Sequence, residues 1–176
     1  MKTENLNLTS LHNLLDYEVS KFTTGEMQLE HILPEWILKT GSLQLKAVLQ
    51  KYQDMIKEHV RRMEDFFEQE SINSLSMKNR VMEAFIEEAN EQLSYCTDQD
   101  VKDACLLASI QAINHFKIST YGTAAAFANT LGMDQQAHVF YEAEINEKQI
   151  DDRLSQLAVH EINSKAKATI ILPKNA

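Results

Sequence analysis

Stepping by three and four through the stretch Gln111 to Gly122, QAINHFKISTYG, gives Leu107, Ile110, Asn114, Lys117, Tyr121 and Ala125 along one helical stripe. An amide and an ammonium therefore sit in the middle of an apolar face. A buried amide is satisfied by hydrogen bonds. A buried ammonium needs a carboxylate, a shifted pKa or a path to water. Any fold for this chain has to supply what answers Lys117.

The chain of 176 residues holds only four Gly and two Pro among strong helix formers, too little turn material for an all-β or α/β fold. The expectation is all-α, in one domain spanning 1–176. A formal charge of −9, with no basic cluster, excludes a nucleic-acid binder, because phosphate neutralisation needs a basic face. The sequence shows neither a secretory leader nor an apolar run long enough to cross a bilayer, so a cytoplasmic protein without membrane contact is expected. Cys96 and Cys105 lack CxxC spacing and read as reduced, structural thiols.

Taken in order, Thr9 or Ser10 caps a first long helix carrying Leu11, Leu15, Val19, Phe22, Leu29, Leu33 and Trp36 inward. Glu26 fills the one gap in that stripe. Gly25 and Pro34 are expected to loosen or kink it, and Gly41 to close it as a C-terminal glycine before a Ser42 cap. A second helix from about Leu43 to Glu70 presents Tyr52, Ile56, His59 and Met63 on one side. Ser71 to Met77 is a break, and a shorter helix runs from about Lys78 to Tyr95. Thr97 or Asp98 caps the helix of the opening stretch, which Gly132 ends after Leu131. Asp134 begins the last long helix, with Glu147 interrupting its stripe and Asp151 one turn on. The tail from about 167 lies outside the bundle. Two long antiparallel hairpins joined by a short crossover helix describe a ferritin-like four-helix bundle.

Distance from the turns places the polar intrusions. Glu26 precedes Gly41 by about 15 residues and His59 follows it by about 18; Asn114 and Lys117 precede Gly132 by about 18 and 15, and Glu147 and Asp151 follow it by about 15 and 19. At 1.5 Å per residue all stand at one level, a buried polar cluster that includes Tyr52 and Tyr121. Carboxylates and imidazole converging inside a bundle build metal sites. A dinuclear site, however, also needs Glu-x-x-His pairs, and Asn114 and Lys117 stand where the third helix should offer a carboxylate. The remaining histidines, His12, His31, His115, His138 and His160, read as surface or interhelical residues.

MEAFIEEANEQL from Met82, VKDACLLASIQAINHFKISTYGTAAAFANTLG from Val101 and INEKQIDDRLSQLAVHEINSKA from Ile145 resemble the YciF/YciE-type bacterial stress proteins, a branch of the ferritin-like superfamily. EMQLEHILPEW around Glu26 and LQLKAVLQKY fit more weakly. The resemblance implies the same bundle and a dimer. The family pattern places a Glu on the first helix, matched by Glu26. Its second-helix His-Leu-x-Glu-Thr-x-x-Gln becomes Tyr52, Met55 and His59 at the His, Glu and Gln. Its third-helix Glu-His-Tyr-Glu becomes Asn114, His115, Phe116 and Lys117, and its fourth-helix Glu-Glu-Lys followed by Asp is kept in Glu147, Lys148 and Asp151.

Two functions follow as expectations. The first is a non-catalytic, stress-associated bundle with no catalytic residue and no cofactor, its metal site degenerate because Lys117 neutralises Glu26 and Glu147. The alternative is an iron or manganese protein with oxygen or peroxide oxidoreductase activity, its metal held by Glu26, His59, Glu147 and Asp151. In either case the expected partner is a second copy of the chain, with Phe85 and Ile86 on the short helix as a dimer face, and neither a nucleic acid nor a membrane.

Overall fold

The computed structural model describes residues 8–70 and 77–167. Four long helices, α1 (Leu11–Lys39), α2 (Leu43–Gln69), α4 (Gln99–Thr130) and α5 (Asp134–Leu157), form two hairpins, and the short α3 (Arg80–Tyr95) crosses between them against α1 and α4. Among the described residues there is no strand, and no helix is long and apolar enough to cross a membrane. The architecture is the all-α bundle that the periodicity predicts. The expected break at Ser71 to Met77 falls almost wholly outside the described residues, as does the tail beyond Lys167.

Capping chemistry sets the ends. Ser10 and Ser42 accept from the amides of Asn13 and Leu45, Asn79 from that of Met82, and Asp98 from those of Asp100 and Val101. At the α4–α5 turn Gly132 has φ +72°, and Met133 N–H donates to the Ala128 carbonyl at 3.0 Å. This is the 6→1 closure that a left-handed residue permits.

The α1–α2 turn is built differently. Thr40 rather than Gly41 caps α1, and Gly41 is not among the positive-φ glycines. Asp103 of α4, 2% exposed, holds the turn instead. Its two carboxylate oxygens accept from Gly41 N–H at 2.8 Å and Ser42 N–H at 2.6 Å. Gln99 donates to the same carboxylate and to the Lys39 carbonyl. This contact puts the first turn beside the start of α4, and Ser42 Oγ donates to Glu161 beyond the end of α5. At the other end, Glu70 of α2 meets His12 and Gln136. The two hairpin turns therefore lie at opposite ends of the bundle, and each long helix runs antiparallel to its two neighbours.

α1 stays one continuous helix through Gly25 and Pro34. A Cβ on Gly25 would meet the Asn79 amide at 2.6 Å, so this glycine serves the close approach of α3. The last helix is not uniform, because a π-helical turn over Ala158–Ile162 follows α5 before a short α6 (Asn163–Ala166). It turns Ile162 inward five residues after Leu157, while Glu161 meets Ser42 and Lys165. Phe85 and Ile86 pack, partly buried, against the main core, and Phe85 meets the Phe116 ring at 5.8 Å.

The core falls into two apolar masses. One contains Leu33, Trp36, Leu49, Tyr52, Ile56 and Ile110; the other contains Leu15, Phe22, Met63, Tyr121 and Phe140. Between them lies a polar layer.

Asp103→Ala should destabilise the protein by about 1.5–3 kcal/mol, the order of a charge-assisted hydrogen bond, because water can reach the freed amides of Gly41 and Ser42. Asp103→Asn should recover part of that, because a single amide oxygen cannot serve both N–H groups. Urea denaturation followed by circular dichroism measures both.

Candidate functional site

Each long helix brings at least one fully buried polar side chain to the layer: Glu26 from α1, Tyr52 and His59 from α2, Asn114, Lys117 and Tyr121 from α4, and Glu147 from α5, all at most 1% exposed. Each is the residue that replaces an apolar one on its helix's inward stripe. All lie near mid-helix, so they meet although the two turns are at opposite ends.

Lys117 Nζ stands between the carboxylates, 3.0 Å from Glu26 Oε2 and 2.7 Å from Glu147 Oε1. These contacts are ion pairs rather than aligned hydrogen bonds, since neither oxygen has a partner in hydrogen-bonding geometry. Lys117 also donates to Tyr52 Oη at 3.1 Å and lies 4.6 Å from the centre of that ring. Tyr52 in turn donates to Glu147 Oε2 at 2.7 Å, Asn114 Nδ2 donates to the same oxygen at 2.6 Å, and Tyr121 donates to Glu26 Oε1 at 2.8 Å. His59 Nδ1 lies 3.4 Å from Glu147 Oε1 and 4.0 Å from Glu26 Oε1. Its ring meets Tyr121 edge to face, with centroids 5.2 Å apart.

Two carboxylates share one ammonium, and their surroundings shift them in opposite directions. Burial raises the Glu26 pKa, and the charge of Lys117 does not fully offset that rise while Glu147 adds to it. Burial also works to raise Glu147, but Lys117 and His59 outweigh it and hold this carboxyl below its usual range. For Lys117 burial favours the neutral amine, yet the two carboxylates win and the pKa is raised. Burial, then the neighbouring carboxylates, push both tyrosines well above the usual phenol value. They are donors, not bases.

Asp151 is not part of this layer. It lies one turn beyond Glu147, partly exposed, 3.2 Å from the exposed His115 and within reach of Gln111. The other histidines stay outside the cluster: His12 and His138 meet surface carboxylates, and His31 and His160 are exposed. Cys96 and Cys105 are partly buried free thiols beside Gln92.

Among the described residues Glu26, His59 and Glu147 can each offer one ligand atom within 4.8 Å of the others. That donor set suits a divalent ion. Against it stands Lys117 Nζ, which lies at Glu26 Oε2 and Glu147 Oε1, an ammonium that repels a cation placed there. The layer sets one ammonium against two carboxylates.

A bundle of two antiparallel hairpins with a crossover helix and a charged layer at mid-height is the class that fold and site define. Residues 10–167 match the family described as Domain of unknown function (DUF892), and the chain belongs to that family. It is 30% identical over 162 residues to Protein YciF of Escherichia coli (strain K12), covering 92% of this chain and 98% of the relative. The crystal structure of the E. coli stress protein YciF matches with TM-score 0.83 at 29% identity, over 89% of this chain and 99% of that one. YcfI from Rhodopseudomonas palustris matches in fold with TM-score 0.83 at 23% identity, over 90% and 100%.

The two carboxylates should respond unequally to substitution. Glu147→Gln should cost about 3–5 kcal/mol, the order of breaking a buried pair, whereas Glu26→Gln should cost about 1 kcal/mol or less. The pH profiles should differ in sign. Glu147, with its lowered folded pKa, contributes stability above the ordinary carboxyl value of 4.5 that is lost as pH falls through the folded value. Glu26, with its raised folded pKa, contributes stability below 4.5 that is lost as pH rises through the folded value. Glu26→Gln should remove that rising-pH loss and Glu147→Gln the acid-side loss, read from urea midpoints across pH.

Proposed function

We propose that this protein is a non-catalytic, stress-associated bundle of ferritin-like type in which Lys117 takes the place of a metal and neutralises Glu26 and Glu147. The observation that carries the reading is the position of Lys117 Nζ, 3.0 Å and 2.7 Å from the two carboxylates, with no exposed surface. The association with stress rests on similarity to the E. coli stress protein YciF. In this reading the protein acts in the cytoplasm as a homodimer. The core layer supplies structure rather than chemistry, for the tyrosines are held protonated and both acids are paired with Lys117.

A second reading draws on the Glu26, His59 and Glu147 constellation: an iron or manganese protein handling oxygen or peroxide. It requires Lys117 to leave the position between the carboxylates.

Elemental analysis of untagged protein, after growth in medium supplemented with iron and manganese, separates the two. Wild type is expected to be empty, while Lys117→Glu gains iron or manganese. Lys117→Met serves the same purpose with the charge simply removed, should Lys117→Glu not fold. About one metal ion per wild-type chain, together with peroxide consumption, would overturn the first reading in favour of the second.

A further inference from the structure

Beyond the polar layer, on the side of the α4–α5 turn, the packing leaves a cavity of about 220 Å³ between the four long helices. Its wall is aromatic and soft: Phe22 from α1, Met63 from α2, Tyr121 and Phe127 from α4, and Phe140 from α5. Phe22 and Tyr121 stand edge to face at 4.7 Å. The Tyr121 hydroxyl is spent on Glu26 outside the cavity, so this ring offers only its carbon surface.

The rim is polar, carrying Ser119, Thr120, Thr123 and Glu18. Thr120 and Thr123 donate their hydroxyl protons to the carbonyls of Phe116 and Ser119, each at 2.9 Å, leaving acceptor lone pairs. Glu18 adds a partly exposed carboxylate whose nearest cation, Lys21, is 3.7 Å away. An aromatic interior behind a hydroxyl-bearing rim whose one charge is the Glu18 carboxylate suits a ligand with a flat apolar body and a cationic head. It disfavours anions.

From this arrangement we infer that the cavity is a binding site for a small arylalkylamine, its ring among Phe22, Phe127 and Phe140 and its ammonium at Glu18. Size fits the class, since an apolar cavity of about 150 Å³ holds benzene and the extra volume accommodates a two-carbon arm and its head. The site is separate from the Lys117 layer and does not depend on what that layer does.

Isothermal titration of the full chain with 2-phenylethylamine tests the inference, with 2-phenylethanol and phenylacetate as comparators. The amine is expected to bind saturably with a Kd below about 1 mM, as a well-buried ligand of this size allows. Phenylacetate should not bind, and the alcohol should bind more weakly than the amine. Glu18→Gln should weaken the amine by about threefold to fivefold, the worth of a partly exposed ion pair, without changing the alcohol. Ala124, a buried residue in the wall, offers the occlusion control. Ala124→Phe, or Ala124→Leu if the larger ring does not fold, should abolish binding while the helical circular dichroism is retained. No saturable binding of the amine up to 10-fold above that Kd, equal affinity for all three compounds, or unchanged binding in the folded Ala124 variant would each overturn the assignment.

Discussion

The structure depends on one buried ammonium held between two buried carboxylates. Removing such ions from water costs several kcal/mol each, a cost that mutual attraction offsets only with close geometry and neighbouring hydrogen bonds. Here the neighbours come from every long helix. α1 gives Glu26, α5 gives Glu147, α4 gives Lys117 with Asn114 and Tyr121, and α2 gives Tyr52. Sliding α1, α4 or α5 by a turn, 5.4 Å, would leave a charge unpaired in the core, and sliding α2 would withdraw the Tyr52 hydroxyl from Glu147 and Lys117. The apolar masses on either side would tolerate such a slip far better, because hydrophobic contact is not directional. The layer is thus the element that specifies alignment, while the two cores supply most of the burial.

The same layer explains why the two carboxylates are not equivalent. Glu147 collects the Lys117 pair, the hydroxyl of Tyr52 and the amide of Asn114, whereas Glu26 has Lys117 and Tyr121. Lys117 and His59 hold the better-served acid below the usual carboxyl range, while burial and its neighbour's charge raise the other. Tyr52 links ammonium to carboxylate by accepting from one and donating to the other, so its removal would affect both ions together.

Much of this could be read in the chain because buried polar residues interrupt helical stripes at countable positions. Lys117 and Asn114 stand out between Ile110 and Tyr121, as Glu26 does between Phe22 and Leu29. Counting from the turns placed them at one level, and it worked because the residues are near mid-helix; the turns themselves lie at opposite ends. Asp151 shows the limit of counting. One turn past Glu147 is a neighbouring height but a different heading, and its side chain meets Gln111 and His115 instead. Asp103 was legible and missed, for it sits four residues before Leu107 and begins the same stripe. The turn at Gly41 is held by the carboxylate of Asp103, a long-range contact that no local pattern contains. The π-helical turn at Ala158–Ile162 follows from a five-residue step between inward residues, and the apolar cavity is a gap between four helices that no single stripe records.

Anomalous diffraction from crystals grown with excess manganese tests the central claim most directly. The account predicts no anomalous peak between Glu26, His59 and Glu147, with density for Lys117 Nζ within ion-pair distance of both carboxylates. A manganese peak bound by those three residues, with Lys117 turned out of the layer, would contradict it.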